Sequence, residues 1–249
     1  LELLTDKPLI LGNLQTRGGG LWFLSENQLC CLSSGRLRYR TFKDILLTLL
    51  IDATGALWVS SGWGDGLYRY ETASAVWRGE GKHFTTADGL GSNMIWGLLE
   101  TRDGTLWAST TTNSRPRSHH LCRYNGEGAF EAIPVPCGGL MECLMEDRRG
   151  RIWFGGWGGG GLSCYDGEGI RTYTMADGLP SDTIRSLTED DAGRIWIGTL
   201  QGLCCFDGQR FIHYGKEHLL KDLVHNIVST KDKNGQLWFS TSGGVYRSD

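Results

Sequence analysis

The sequence predicts an all-β fold of six repeated sheets, and three observations carry the prediction. A glycine stands three residues before a tryptophan, with Leu or Ile directly before the ring, at Gly19/Trp22, Gly55/Trp58, Gly104/Trp107, Gly150/Trp153, Gly193/Trp196 and Gly235/Trp238. The steps between these tryptophans are 36, 49, 46, 43 and 42 residues, a period that belongs to stacked or radial supersecondary units rather than to one wound sheet. The 249-residue chain also carries 37 Gly, 5 Pro and 10 Trp and shows no sustained helical periodicity, which favours turn-rich β structure packed on large rings. Four short antiparallel strands per unit make each repeat a blade, and the chain reads as one domain over 1–249, a six-bladed β-propeller.

The fifth repeat shows how each element arises. Residues 183–189 form the first strand, Asp190-Asp191-Ala192-Gly193 the turn, and 194–199 the tryptophan strand. Residues 203–207 and 210–214 are the third and fourth strands, joined at Gly208-Gln209, where a hairpin needs residues tolerant of positive φ. The sixth repeat stops after its third strand at 244–248, so the N-terminal strand Leu1–Thr5 is expected to complete the last blade, closing the ring and removing a free sheet edge.

Composition narrows function. The formal charge is −3 with both signs interspersed, which is not the footprint of a nucleic-acid binder. No apolar run approaches a membrane span, and the start Leu1-Glu2-Leu3-Leu4 lacks the basic region of a signal peptide. Of eight cysteines, Cys30, Cys122 and Cys204 fall at one repeat position and Cys31, Cys164 and Cys205 at the next. Equivalent positions on different blades are too far apart to bridge, so the cysteines read as buried free thiols. Cys137 and Cys143, with no histidine nearby, do not make a metal site.

The candidate site residues are those that break the repeat. The six repeat tryptophans read as packing between blades. The first strands, by contrast, carry Trp96, Glu142, Arg185 and His225 at matching positions, chemically diverse where a purely structural repeat would be uniform. They read either as mutually paired channel side chains or as a pocket for a small polar ligand. Trp63 and Trp157 lie in glycine-flanked stretches with no strand pattern to bury them, suited either to stacking on a sugar or aromatic ring or to folding back as lids. Arg115 and Arg117, with His119 and His120, occupy a long loop over 111–120 in the third repeat. We expect these insertions to share one face of the disc. Asp44, Asn93, Asp182 and Asp222 precede the first strands, with Gly139 in the fourth repeat. They read as turn acceptors, and if several converged at a channel mouth they would suit Ca2+ or Mg2+; no resident cofactor or metal is otherwise expected.

Asp177-Gly178-Leu179-Pro180-Ser181-Asp182, followed by Gly193-Arg194-Ile195-Trp196-Ile197-Gly198-Thr199, resembles the repeat of the two-component-regulator propeller family, and Asp88-Gly89-Leu90 with Gly104-Thr105-Leu106-Trp107 is a second copy. The resemblance implies a sensor-type propeller, extracytoplasmic in bacterial histidine-kinase systems, some of which sense glycans. On it we expect a monomeric, non-catalytic recognition module for a small molecule, an oligosaccharide or a protein partner. Two rival readings stand beside it. One is a lyase or hydrolase resembling the streptogramin-lyase type, in which His225 and Glu142 would act as an acid/base pair; the other is a protein-interaction scaffold.

Overall fold

The computed structural model describes residues 15–17, 20–61, 63–136, 139–214, 228–232, 235–241 and 244–247. The chain divides into two compact units, Leu1–Pro134 and Val135–Asp249. The first unit holds three four-stranded sheets: β1 (Gln15–Arg17), β2 (Gly20–Ser25), β3 (Gln28–Ser33) and β4 (Arg36–Thr41); β5 (Leu46–Ile51), β6 (Leu57–Ser61), β7 (Leu67–Tyr70) and β8 (Lys82–Phe84); β9 (Ile95–Glu100), β10 (Leu106–Thr111), β11 (His119–Tyr124) and β12 (Phe130–Val135). The second holds β13 (Leu140–Glu146), β14 (Ile152–Trp157), β15 (Leu162–Tyr165) and β16 (Ile170–Tyr173), then β17 (Ile184–Glu189), β18 (Ile195–Thr199), β19 (Gly202–Phe206) and β20 (Phe211–Tyr214). Its last described sheet is β21 (Val228–Lys231), β22 (Leu237–Thr241) and β23 (Gly244–Arg247). Each sheet is an antiparallel meander in chain order, the blade topology the repeat predicts. The segment Leu1–Thr5, expected to complete the last blade, lies outside the described residues, as do Asp222 and His225.

Four of the repeat tryptophans stand between consecutive sheets of one unit. Trp58 is 1% exposed and packs among Leu90 of the connection and Ile95, Leu106 and Phe130 of the next sheet; Trp153, fully buried, packs among Leu179, Ile184, Ile195 and Phe206. Trp22 meets Leu46, Val59 and Tyr70 in the same way, and Trp196 meets Leu237 and Phe239. An indole is large enough to fill the wedge between two twisted sheets while keeping a donor at its edge.

That donor has a partner the sequence reading missed. Six residues before the ring stands an aspartate, and its carboxylate accepts the indole N–H: Asp52 from Trp58 at 2.8 Å, Asp147 from Trp153 at 2.8 Å, Asp190 from Trp196 at 2.9 Å and Asp232 from Trp238 at 2.9 Å. The same carboxylates accept turn N–H groups, as Asp147 does from Arg149 and Arg151 and Asp190 from Ala192 and Arg194. One side chain thus ties the hairpin turn to the tryptophan. In the third repeat Thr101 replaces the aspartate, and Asp103 holds the turn instead, accepting from the Thr101 hydroxyl at 2.6 Å and the Thr105 N–H at 3.0 Å.

Three local readings are corrected. A short helix, α1 (Ala73–Arg78), interrupts the second sheet, capped by the Thr72 hydroxyl and by Gly79 at φ 77°; six residues are too few to show a helical period. His119 and His120 are not in the long loop but on β11, where His119 is 5% exposed and its Nδ1 meets the Thr111 hydroxyl at 3.1 Å. Trp157 is not a loop residue but the last residue of β14, paired with Leu140. The seven described cysteines are free, and the neighbours Cys30–Cys31 and Cys204–Cys205 sit on consecutive strand positions whose side chains point to opposite faces.

Candidate functional site

The first strand of a repeat does not run in register to its end. In four sheets it carries one extra residue near its start: between Leu46 and Leu49 on β5, at Trp96 on β9, between Leu140 and Cys143 on β13, and at Arg185 on β17. Each is a β-bulge, which bends the strand and re-aims a side chain. Trp96, Glu142 and Arg185 therefore hold the odd position at a bulge while the residue before each, Ile95, Met141 or Ile184, stays buried in the core. Periodicity alone could not show the bulge, but the run of dissimilar residues after a constant apolar one was its trace.

In the second unit the bulges of β13 and β17 bring together three of the predicted residues. The Arg185 guanidinium carbon lies 4.4 Å from the centre of the Trp157 ring, and Arg185 Nη1 is 3.9 Å from Glu142 Oε2, an ion pair too long for a hydrogen bond. Nε and Nη1 of Arg185 are buried without a hydrogen-bond acceptor. An orphaned donor of this kind costs roughly 1–3 kcal/mol. The stack on the indole, worth about 0.5–2 kcal/mol, orients the guanidinium but leaves the Nε and Nη1 donors unused. Trp157 remains 42% exposed. Burial pushes the Glu142 carboxyl above its ordinary range, and the Arg185 charge only partly opposes this. Burial, the Glu142 charge and, in opposition, Arg185 together push the neighbouring Cys143 thiol up to about 12, so Cys143 stays a thiol and adds no anion. The cluster offers donors, an acceptor and a ring surface within a few ångströms of one another.

The glycines around it are required by close approach. A Cβ on Gly156 would run into the Leu140 carbonyl at the β13 bulge, and one on Gly139 would stand 2.6 Å from the Trp157 carbonyl. The second fact explains why the fourth repeat has glycine where the others have Asp or Asn: the Trp157 backbone occupies the space of the side chain.

In the first unit the predicted residues are distributed differently. Trp63 is 65% exposed and is not folded back as a lid. Its loop is braced by the Tyr68 hydroxyl donating to Asp65 Oδ2 at 2.7 Å, by the His83 ring nitrogen at the Asp65 carbonyl, and by the Gly66 N–H donating to the Asn93 carbonyl at 3.1 Å. Trp96 is half-buried and its Nε1 has no acceptor. Arg115 and Arg117 are exposed on a loop held by Thr112 and Ser118, whose N–H groups donate to the Ser118 carbonyl and the Thr112 hydroxyl.

Two of the Asx positions act as turn acceptors: Asn93 Oδ1 takes the Thr86 N–H at 2.8 Å and Asp182 Oδ1 the Met175 N–H at 2.7 Å. Among the described residues no three His, Cys, Asp or Glu side chains converge as metal ligands.

Sheets of this pattern, with an indole wedge between blades and bulged first strands, define a β-propeller. Three segments, 89–112, 137–158 and 178–201, match the family model described as two component regulator propeller. Among curated proteins none matches the sequence. Solved structures with the same fold include the extracellular domain of the one component system BT4673 from Bacteroides thetaiotaomicron, with 21% identity, a TM-score of 0.73, and coverage of 99% of this chain and 33% of that one. The chain thus spans about a third of that relative's length. They also include a catalytically inactive virginiamycin B lyase from Staphylococcus aureus with quinupristin, at 13% identity and a TM-score of 0.77, covering 99% of this chain and 83% of that one. A gluconolactonase from Xanthomonas campestris shares 14% identity at a TM-score of 0.55, over 92% of this chain and 81% of that one.

Proposed function

We propose that this chain is a non-catalytic recognition propeller of an extracytoplasmic bacterial sensor, and that Trp157, Arg185 and Glu142 hold a small polyhydroxylated ligand such as a sugar. The observation that carries the reading is Arg185, stacked on a ring and left with two buried nitrogens that lack acceptors. Hydroxyl groups both accept and donate, so one ligand can satisfy the guanidinium and the Glu142 carboxylate together while an apolar sugar face covers the exposed part of the indole. A site built this way selects strongly, because a ligand lacking the hydroxyls leaves the donors unpaired. His225, at the matching position of the sixth repeat, is proposed as a further contact. The family repeats support the sensor role; the lyase and gluconolactonase likenesses, at 13% and 14% identity, carry the fold only. We also propose that the six repeats close into one ring, with Leu1–Thr5 as the outer strand of the last sheet.

A thermal-shift screen of neutral and acidic mono- and oligosaccharides tests the site. A ligand at about 100 times its Kd stabilises the folded protein by roughly 2.7 kcal/mol. The expected result is a shift that disappears in Arg185→Gln and weakens in Trp157→Ala. A confirmed ligand that acts equally on both variants places recognition elsewhere, and turnover of the ligand by the wild-type protein replaces this reading with the enzymatic one.

A further inference from the structure

The first unit holds a cleft, remote in sequence from the residues discussed above, between the flank of its first sheet and helix α1. It is built on two cross-strand rungs. Gly20 on β2 pairs with Ser33 on β3, which pairs with Arg36 on β4; two rungs along, on the same face, Trp22 pairs with Cys31, which pairs with Arg38. Arg36 and Arg38 are two residues apart on one strand and so lie on the same face as Ser33 and Trp22. From the other side α1 contributes Trp77, whose ring stacks on Trp22 at 5.4 Å with 13° between the planes, while the Arg38 guanidinium carbon lies 4.5 Å from the Trp77 ring centre. The cleft, open to solvent on one side, has a volume of about 390 Å3, within the range of small-molecule pockets, roughly 300–1,000 Å3.

What sets this cleft apart is two guanidinium groups side by side on one face of β4. Of the five other arginines that lie over a tryptophan, four have a carboxylate within 4 Å: Arg69 over Trp58 with Glu71, Arg151 over Trp153 with Asp147, Arg185 over Trp157 with Glu142, and Arg194 over Trp196 with Asp190; the fifth, Arg247 over Trp238, has no ion pair among the described residues. Among the described residues no carboxylate pairs with Arg36 or Arg38. A guanidinium lying on a ring keeps its in-plane N–H groups for a planar acceptor, and its rotamer is already restricted before anything binds. We propose that this cleft binds the oxyanion of a small ligand, a carboxylate, phosphate or sulfate, on Arg38 and Arg36, with the Ser33 hydroxyl as an additional donor. The oxyanion sits beside Ser33 and Arg36 while the body of the ligand lies along the edges of the indoles.

The test is a titration of 15N-labelled protein with sodium benzoate, sodium phosphate and sodium sulfate in separate arms, against sodium chloride at matched ionic strength. The readout is the indole N–H signals of Trp22 and Trp77, the latter identified by its loss in Trp77→Phe. The expected result is a saturable shift of both signals in at least one oxyanion arm, and that arm names the class. Arg38→Lys keeps the charge but loses the planar fork, and should weaken binding at least about tenfold, as should Arg36→Gln. Arg185→Gln should leave it unchanged, so this site stands or falls separately from the one at Trp157. A shift reproduced by chloride, or one unaltered in both arginine variants, overturns the proposal. Arg36→Gln carries the test if Arg38→Lys does not fold, since no ring contact depends on Arg36 among the described residues.

Discussion

Asp147 shows how much one side chain can organise. Its carboxylate, 1% exposed, accepts the Trp153 indole N–H, two backbone N–H groups and the Arg151 Nε at 2.6 Å. Burial alone would raise its pKa, yet those hydrogen bonds and the Arg151 charge hold it below the ordinary carboxylate value, and Asp52 and Asp190 are depressed in the same way. A depressed folded-state pKa means that the unfolded chain binds protons first. The stabilisation is therefore complete above the unfolded value, near pH 3.9, and is lost as pH falls through the folded values. We expect Asp147→Ala to cost about 2–4 kcal/mol at neutral pH and to flatten the acid limb of a urea-midpoint profile. An unchanged acid limb would remove Asp147 from the account. Glu142 has the opposite sign, its pKa being raised by burial. Without ligand, Glu142→Gln should stabilise the protein near neutral pH, and the gain should vanish as pH falls through the wild-type carboxyl's raised value and that group takes up its proton. A gain that persists into acid would show that Glu142 does not carry the strain assigned to it.

The element that places the proposed ligand site is the bulged first strand. An extra residue on β13 turns Glu142 out while Met141 stays 1% exposed, and the extra residue on β17 does the same for Arg185 behind the fully buried Ile184. The bulge on β13 depends on Gly156, because the Leu140 carbonyl fills the place a Cβ would take. Gly156→Ala should therefore cost at least about 2 kcal/mol in chemical denaturation and reduce ligand response together with stability. Gly104→Ala, strained only by its φ of 83° with open space around it, should cost about 1 kcal/mol and leave ligand response intact. Equal effects of the two changes on ligand response would disconnect the bulge from the site.

For the whole molecule the testable point is closure. If residues 1–5 supply the outer strand of the last sheet, deleting residues 1–10 should strip hydrogen-exchange protection from β23 first and lower the melting temperature; protection in β23 equal to that of the full chain would refute the closure. The proposed sensor role also needs a rigid frame. Across the chain, blade-to-blade cohesion includes links at the hairpin turns, such as Glu100 accepting the Ala53 N–H at 2.8 Å and Arg148 reaching the Asp190 and Asp191 carbonyls at 2.6 Å. Such fixed turns leave the variable connections free to differ without loosening the blades.

Repeat length, strand order and the burial of the tryptophans were legible in the sequence because each follows from local spacing: a glycine turn, an alternating strand and a ring every forty or so residues. The odd chemistry at Trp96, Glu142 and Arg185 was also visible. The aspartate six residues before the ring could have been read in the same way at 52, 147, 190 and 232, but its purpose appears only when the turn folds back on the indole. Tertiary structure alone decided that Trp157 ends a strand under Arg185, that Gly139 makes room for its backbone, and that Trp77 of a six-residue helix lies against Trp22 and Arg38. These depend on where two separate segments meet and on a one-residue slip in register. A local pattern carries no term for either.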